Sequence, residues 1–232
     1  MKLKFESENE IFIPDIIATG CTNSLNLKDV DFPVPCGKCL PCQKKRRSDW
    51  SFRLEQEFLD SDSAFFITLT YNDIFVPRTH EGYLTLQKKE LQKYIKRLRA
   101  DHVKYVSQEL KIPKNEVKNV SKPVRYYAVG EYGTQTRRPH YHMLLFNYDI
   151  ANLQPITYQW KDTNTGKPLG HIDIGTVTSS SINYVTKYMF KPFSIKDKRQ
   201  KPFSMMSKKP IIGHTYLVKN GIHHIETEDL TV

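Results

Sequence analysis

Two strand-like runs constrain this chain most: Arg125 to Glu131 (RYYAVGE) and His140 to Phe146 (HYHMLLF), joined by GTQTRRP. Both are dense in aromatic and aliphatic residues, and their short connection predicts an antiparallel pair. A third run, Ala64 to Tyr71 (AFFITLTY), reads as a buried strand, and Ile172 to Val177 as a short fourth. Thr85 to Arg99 carries Leu86, Leu91, Tyr94, Ile95 and Leu98 at near-helical spacing, with six Lys and Arg on the remaining face. That pattern predicts an amphipathic helix with a basic outer side. Trp50, Phe52, Leu54, Phe58 and Leu59 predict another helix, N-capped by Ser48. A third, from about Ile182 to Lys191, has several N-caps available in Thr178 to Ser181.

Between these elements the sequence is less definite. Residues 101–123 are polar and Lys-rich and read as an excursion from the fold. Residues 152–170 show only a turn at Asn164 to Gly166, and the tail suggests a strand at Thr215 to Val218. Before residue 48, Pro14, Pro33, Pro35 and Pro41 argue against a long element. Strands joined as hairpins, with helices between them, predict an α+β domain: a central antiparallel sheet with helices on one face. A Cys-rich N-terminal extension (1–50) precedes this main domain (51–232).

The chain has 232 residues and a formal net charge of +10. Such an excess suits a polyanion, because Lys and Arg that neutralise phosphates release condensed counterions. No apolar run approaches the length of a membrane span, and charges interrupt the N-terminal MKLKFESENEIF, so no signal peptide is expected. An intracellular protein follows. In that setting Cys21, Cys36, Cys39 and Cys42 read better as metal ligands than as disulfides. Structural Zn²⁺, free thiols and an iron–sulfur cluster all fit the spacing. The basic run Lys44, Lys45, Arg46 and Arg47 follows directly, placed either against DNA or on open surface.

The chemistry concentrates in two segments. Alternation along a strand puts His140 and His142 on one face, with Tyr141, Met143 and Leu145 on the other. Glu131, at the end of the neighbouring strand, can join the two imidazoles. Two His and one carboxylate leave coordination positions open, as a catalytic metal site requires, and favour Mn²⁺ or Mg²⁺. In the second segment Tyr184 and Tyr188 stand one helical turn apart, with Lys187 and Lys191 each three residues beyond a tyrosine. A cation beside a phenol favours the phenolate, the nucleophilic form.

Together these motifs resemble the HUH endonucleases (His, hydrophobe, His), which start rolling-circle replication. The resembling residues are Phe66-Ile67-Thr68-Leu69-Thr70, His140-Tyr141-His142, and Tyr184 with Lys187. Gly130-Glu131-Tyr132-Gly133 before Arg138-Pro139-His140, and the doubled Tyr-x-x-Lys, are similar to microvirus initiators. The segment Pro35-Cys36-Gly37-Lys38-Cys39-Leu40-Pro41-Cys42 is similar to their gokushovirus branch. The resemblance covers residues 36–191. It implies an RNA-recognition-like sheet with the histidines on a middle strand. It also implies a divalent metal on the scissile phosphate, and tyrosine attack leaving a 5′-phosphotyrosyl link and a free 3′-hydroxyl. The second tyrosine then serves termination. The implied partners are single-stranded DNA at the replication origin and a host helicase and polymerase, in the cytoplasm of an infected bacterium. The chain contains no G-x-x-x-x-G-K-[ST], so no nucleotide cofactor is expected. Arg137, Arg138 and the basic face of 86–99 are the candidates for DNA phosphate contacts.

The residues alone admit two other readings. One is a single-stranded nucleic-acid-binding module without catalysis, its sheet a stacking platform. The other is a metal phosphoesterase that activates water.

Overall fold

The computed structural model describes residues 20–188 and 198–227, together with two short strands, β1 (Lys2–Leu3) and β2 (Ile11–Phe12). Lys191, expected beside Tyr188, lies outside the described residues. The chain divides into two compact units, residues 1–56 with 213–232, and residues 57–212. The C-terminal segment thus goes with the N-terminal one, which a linear division of the chain does not express.

Residues 57–212 hold a five-stranded antiparallel sheet. Its strands are β3 (Ala64–Thr70), β4 (Arg125–Tyr132), β5 (Pro139–Phe146), β6 (Ile172–Thr176) and β7 (Phe203–Met206), in the order β6-β3-β5-β4-β7. The expected β4–β5 hairpin forms with Glu131 opposite His140 and Val129 opposite His142. On its other side β5 pairs with β3, Thr68 opposite His142 and Thr70 opposite His140. The histidine strand is therefore central, and side-chain alternation divides its residues cleanly. Tyr141, Met143 and Leu145 are fully buried on one face, in the main core.

That core is closed by α2 (Lys88–Glu109) and α4 (Gln154–Tyr158). Helix α2 buries Leu91, Tyr94, Ile95, Leu98, His102 and Val106, an unbroken three-to-four spacing. Rings dominate here: Trp160 packs within 5.2–5.8 Å of Tyr71, Tyr94 and Tyr141. Their polar atoms are bonded, Trp160 Nε1 donating to the Thr70 carbonyl at 2.8 Å and the Gln87 amide to Tyr141 Oη at 2.8 Å. The main helical layer covers one face of the sheet, as expected from the sequence. The shorter α5 (Ser179–Lys187) lies on the other face, against the histidines.

Residues 101–123 are not an excursion. Helix α2 continues through residue 109 because His102 and Val106 extend its buried stripe, and α3 (Val117–Val120) follows. Strand β7 was not anticipated, its four residues being flanked by Lys and Pro.

In the other unit, α1 (Leu40–Asp60) begins eight residues before the expected Ser48 cap. Pro41 is its second residue, where the missing N–H costs nothing, so this proline starts the helix instead of breaking one. The tail forms a helix, α6 (His214–Glu226), where a strand was expected. The β-branched Thr215 and Val218 suggested extension, but helical geometry satisfies Tyr216. Its hydroxyl meets His224 Nε2 at 2.8 Å and its ring meets Phe52 edge-on at 5.0 Å. Gly213 starts α6 at φ +75°, and a Cβ there would stand 3.0 Å from the Arg53 carbonyl oxygen.

A candidate active site on the open sheet face

On the face opposite the core, adjacent strands bring Glu131, His140 and His142 together. Glu131 (4% exposed) and His142 (6%) are buried, and His142 Nε2 lies 3.1 Å from Glu131 Oε1. His140 is half-buried, its ring centroid 6.0 Å from that of His142. Burial holds the His140 imidazole below its ordinary value, against the pull of Glu131, so the neutral, metal-binding form prevails at pH 7. The donor set, two imidazoles and one carboxylate without thiolate, fits a divalent metal with open positions. Glu131 and His142 are in contact, but the three donors do not form a closed shell. Among the described residues, the only three or more such groups whose ligand atoms all lie within 4.8 Å are the cysteines.

Helix α5 sets the tyrosines against this cluster. A capping box fixes its start: Ser181 N–H donates to Thr178 Oγ1 at 3.3 Å, and Thr178 N–H donates to Ser181 Oγ at 2.8 Å. With the helix phase set, Ile182 and Val185 are fully buried and Tyr184 turns to the histidines. Its hydroxyl is 3.5 Å from His142 Nε2, and its ring meets the imidazole edge-on at 4.9 Å. Tyr188, just past the helix, stacks near-parallel to His142 at 5.9 Å and meets Tyr184 at 5.0 Å. The Lys187 ammonium lies over both phenol rings, 4.3 Å from the Tyr184 centroid and 5.1 Å from that of Tyr188. Burial raises the Tyr188 phenol, and neighbouring Tyr184 and Glu131 raise it further. Without a cation in the cluster, this phenol resists ionisation.

Sequence reasoning quoted Thr68 and Phe66 only as part of a resemblance. Thr68 Oγ1 stands 3.2 Å from His142 Nδ1, and Phe66 stacks on the same imidazole at 5.8 Å with planes 9° apart. The available signal was a polar residue in the middle of an otherwise apolar strand. Gly133 is also committed, since a Cβ there would stand 3.0 Å from His140 Cε1.

The expected DNA-contacting residues fall into three groups. Arg137 is exposed on the β4–β5 loop in the left-handed region, φ 55°. Arg138 is tied down: its guanidinium pairs with Asp73 and donates to the Tyr71 carbonyl at 2.9 Å. Lys44, Lys45, Arg46 and Arg47 are exposed on α1, with Lys45 paired to Asp49 at 3.2 Å.

Cys21, Cys36, Cys39 and Cys42 form the other cluster, all four Sγ atoms within 4.8 Å of one another. The amides of Lys38 and Cys39 turn back on Cys36 Sγ at 3.4 and 3.3 Å, and the Cys36 amide donates to Cys21 Sγ at 3.3 Å. The Cys42 and Thr22 amides hold the Cys39 thiol down to about 6, and Cys42 beside it is pushed up to about 12. Four thiols this close cannot all ionise without a cation. The cluster could hold a metal such as zinc, for which four thiolates are a structural donor set.

A model of the ORF2-type family of replication-associated proteins matches residues 64–193, which include every element of this face. Replication-associated protein VP4 of Bdellovibrio phage phiMH2K is 31% identical over 199 residues, 81% of this chain and 58% of its own. Replication-associated protein ORF2 of Spiroplasma virus 4 is 29% identical, covering 72% of this chain and 51% of its own. Replication-associated protein ORF4 of Chlamydia phage 1 is 26% identical, covering 73% and 41%. The chain belongs to the ORF2-type family of replication-associated proteins. Its kinship with microvirus-type phages, drawn first from the motifs, is borne out, although it spans only 41–58% of these relatives' lengths. Among solved structures, the hypothetical protein ORF119 of Sulfolobus islandicus rod-shaped virus 1 is 19% identical. It covers 65% of this chain and 99% of its own at a TM-score of 0.33, too low to carry an argument.

Proposed function

We propose that the chain is a single-stranded DNA endonuclease and strand transferase that nicks a replication origin through a tyrosine. The observation that carries this reading is the convergence of two phenols and one ammonium on a buried imidazole–carboxylate pair. Structural tyrosines have no need of a metal-ligand face, and a water-using phosphoesterase has no need of paired phenols beside it.

In this reading Glu131, His140 and His142 hold Mn²⁺ or Mg²⁺. The ion supplies Lewis-acid polarisation of the scissile phosphate. The chain's own groups do the rest. Lys187 stabilises the phenolate, and Thr68 and Phe66 fix the plane of His142. A phenolate oxygen attacks phosphorus, the P–O3′ bond breaks, and the departing 3′-oxygen takes up a proton. The 5′-phosphate is then an ester of tyrosine, and the free 3′-hydroxyl is available to a host polymerase. In the closing step a 3′-hydroxyl attacks this ester, loses its proton and releases the phenol. The phosphodiester energy is conserved, so ATP is not consumed. A host helicase would separate the strands.

The test is incubation with a randomised single-stranded DNA pool and Mn²⁺, followed by denaturing electrophoresis. The wild type forms a denaturation-resistant protein–DNA adduct. Tyr184→Phe and Tyr188→Phe rank the two phenols, and the double variant and His140→Ala/His142→Ala abolish the adduct. Cleavage without an adduct points to activated water, and binding without cleavage to a non-catalytic module.

A further inference from the structure

A cavity of about 790 Å³ opens where α2 and α3 meet the ends of β4 and β7. Seven cationic side chains line it, and no Asp or Glu does. Three of the seven are committed elsewhere. Arg125 pairs with buried Glu57, and Lys122 pairs with Asp62 at 2.9 Å. Arg99 donates to the Val124 carbonyl and Ser207 Oγ, both at 3.1 Å, with its guanidinium 5.2 Å from the Tyr126 ring centroid. These groups form a fixed wall. The other four, Lys114, Lys118, Lys208 and Lys209, are exposed, with no carboxylate pairing them among the described residues. Four ammonium groups of one sign around a concavity repel one another, a cost that an anion in the cavity removes.

The cavity is far from the tyrosines. It touches β4 at Val124–Tyr126, whereas Glu131 lies six residues along the same strand, about 20 Å at the rise of an extended chain. That separation equals about six nucleotides at 3.4 Å each. A volume of this size with lysines around its rim suits a run of backbone phosphates, and the Arg99–Tyr126 wall offers a surface for a base.

We propose that this cleft is a second polynucleotide site, holding the phosphate backbone of the DNA flanking the nicked segment. The proposal rests on the reading of the chain as a DNA-acting protein, but not on its catalytic step. The cleft contributes anchoring and length dependence, and the histidine face contributes chemistry.

The test is fluorescence anisotropy of a labelled oligothymidylate of about 20 nucleotides, long enough to span both sites, over a range of salt. K114Q/K118Q/K208Q/K209Q is compared with the charge-matched K28Q/K104Q/K161Q/K167Q, whose positions lie outside the cleft. The cleft variant loses roughly tenfold or more in affinity at 0.1 M salt, and its logarithmic salt slope falls by about 3, at about 0.7 per phosphate contact on a single strand. The matched variant stays close to wild type, and Lys→Arg at the four cleft positions restores both quantities, which a folding defect would not allow. ATP and pyrophosphate serve as competitors. Displacement only at millimolar levels supports a polynucleotide, and displacement at micromolar levels overturns it in favour of a free phosphate ligand. A wild-type slope in the cleft variant, or equal losses in both variants, overturns the cleft. Adduct formation measured on the same samples shows separately whether the proposed function stands.

Discussion

Thr68→Val removes a hydroxyl and retains the shape and strand preference of the side chain. Its target is the 3.2 Å contact between Thr68 Oγ1 and His142 Nδ1. In the free protein His142 Nε2 faces Glu131 Oε1 at 3.1 Å, so Nδ1 is the acceptor and the Thr68 hydroxyl donates. When Nε2 gives its lone pair to a metal, Nδ1 carries the proton and the same hydroxyl accepts. A hydroxyl serves both tautomers and a methyl serves neither. Loss of such an orienting bond typically weakens metal binding ten- to a hundredfold, about 1.4–2.7 kcal/mol. Thr68 is half-buried, so water partly replaces it, and Phe66 still stacks on the ring, which places the loss near tenfold. Folding stability falls by about 1 kcal/mol, the net worth of one hydrogen bond. Calorimetric titration with Mn²⁺ gives the first quantity and urea unfolding of the metal-free protein the second. Saturating Mn²⁺ then restores most of the activity, because the tyrosines and Lys187 are untouched. Wild-type Mn²⁺ affinity in Thr68→Val would refute the assignment of His142 as a ligand oriented by β3.

Three other outcomes are expected. Gly170→Ala places a Cβ 2.2 Å from the Thr70 carbonyl oxygen and 2.6 Å from Tyr71 Cα, so the β3 end must shift. A loss of about 3 kcal/mol or more in chemical unfolding follows. Arg125→Met leaves the Glu57 carboxylate buried and unpaired, with side chains only 8–9% exposed in the native pair, and costs about 3–5 kcal/mol in urea unfolding. Zinc added to the reduced, metal-free chain is retained through gel filtration at about one ion per chain, and Cys36→Ser/Cys39→Ser abolishes retention. Without zinc at pH 7, iodoacetamide modifies Cys39 before Cys42, because the Cys39 thiol is held near 6 and that of Cys42 is pushed up to about 12. Lowering the pH through 6 protonates Cys39 and removes its advantage, and zinc protects both.

Much of the site was legible because strand alternation and one helical turn are local rules. His140 and His142 share a face through the period of two, and the register across a short loop brings Glu131 opposite His140. Thr178 and Ser181 announced the start of α5, which fixes where Tyr184 points. The role of Thr68 was not legible, because it depends on pairing β3 with a strand 74 residues away. Nor was the full length of α2, since His102 reads as polar yet is buried with a ring 5.6 Å from Tyr148. Pro41 and the β-branched residues of α6 misled for a shared reason. Local preference depends on position within an element, and packing overrides it. The uncompensated charge of Lys114, Lys118, Lys208 and Lys209 joins residues from two distant segments, visible only once β7 lies beside β4.

The central claim is that a tyrosine of this chain becomes covalently joined to DNA. Its most direct test is tandem mass spectrometry of the Mn²⁺ reaction after nuclease trimming and proteolysis. The account predicts a peptide spanning Tyr184 and Tyr188 that carries a 5′-linked nucleotide on one phenol, and no such peptide in the double Phe variant. Cleaved DNA ending in free 5′-phosphate, with both tyrosines unmodified under conditions that preserve phosphotyrosine, would contradict it.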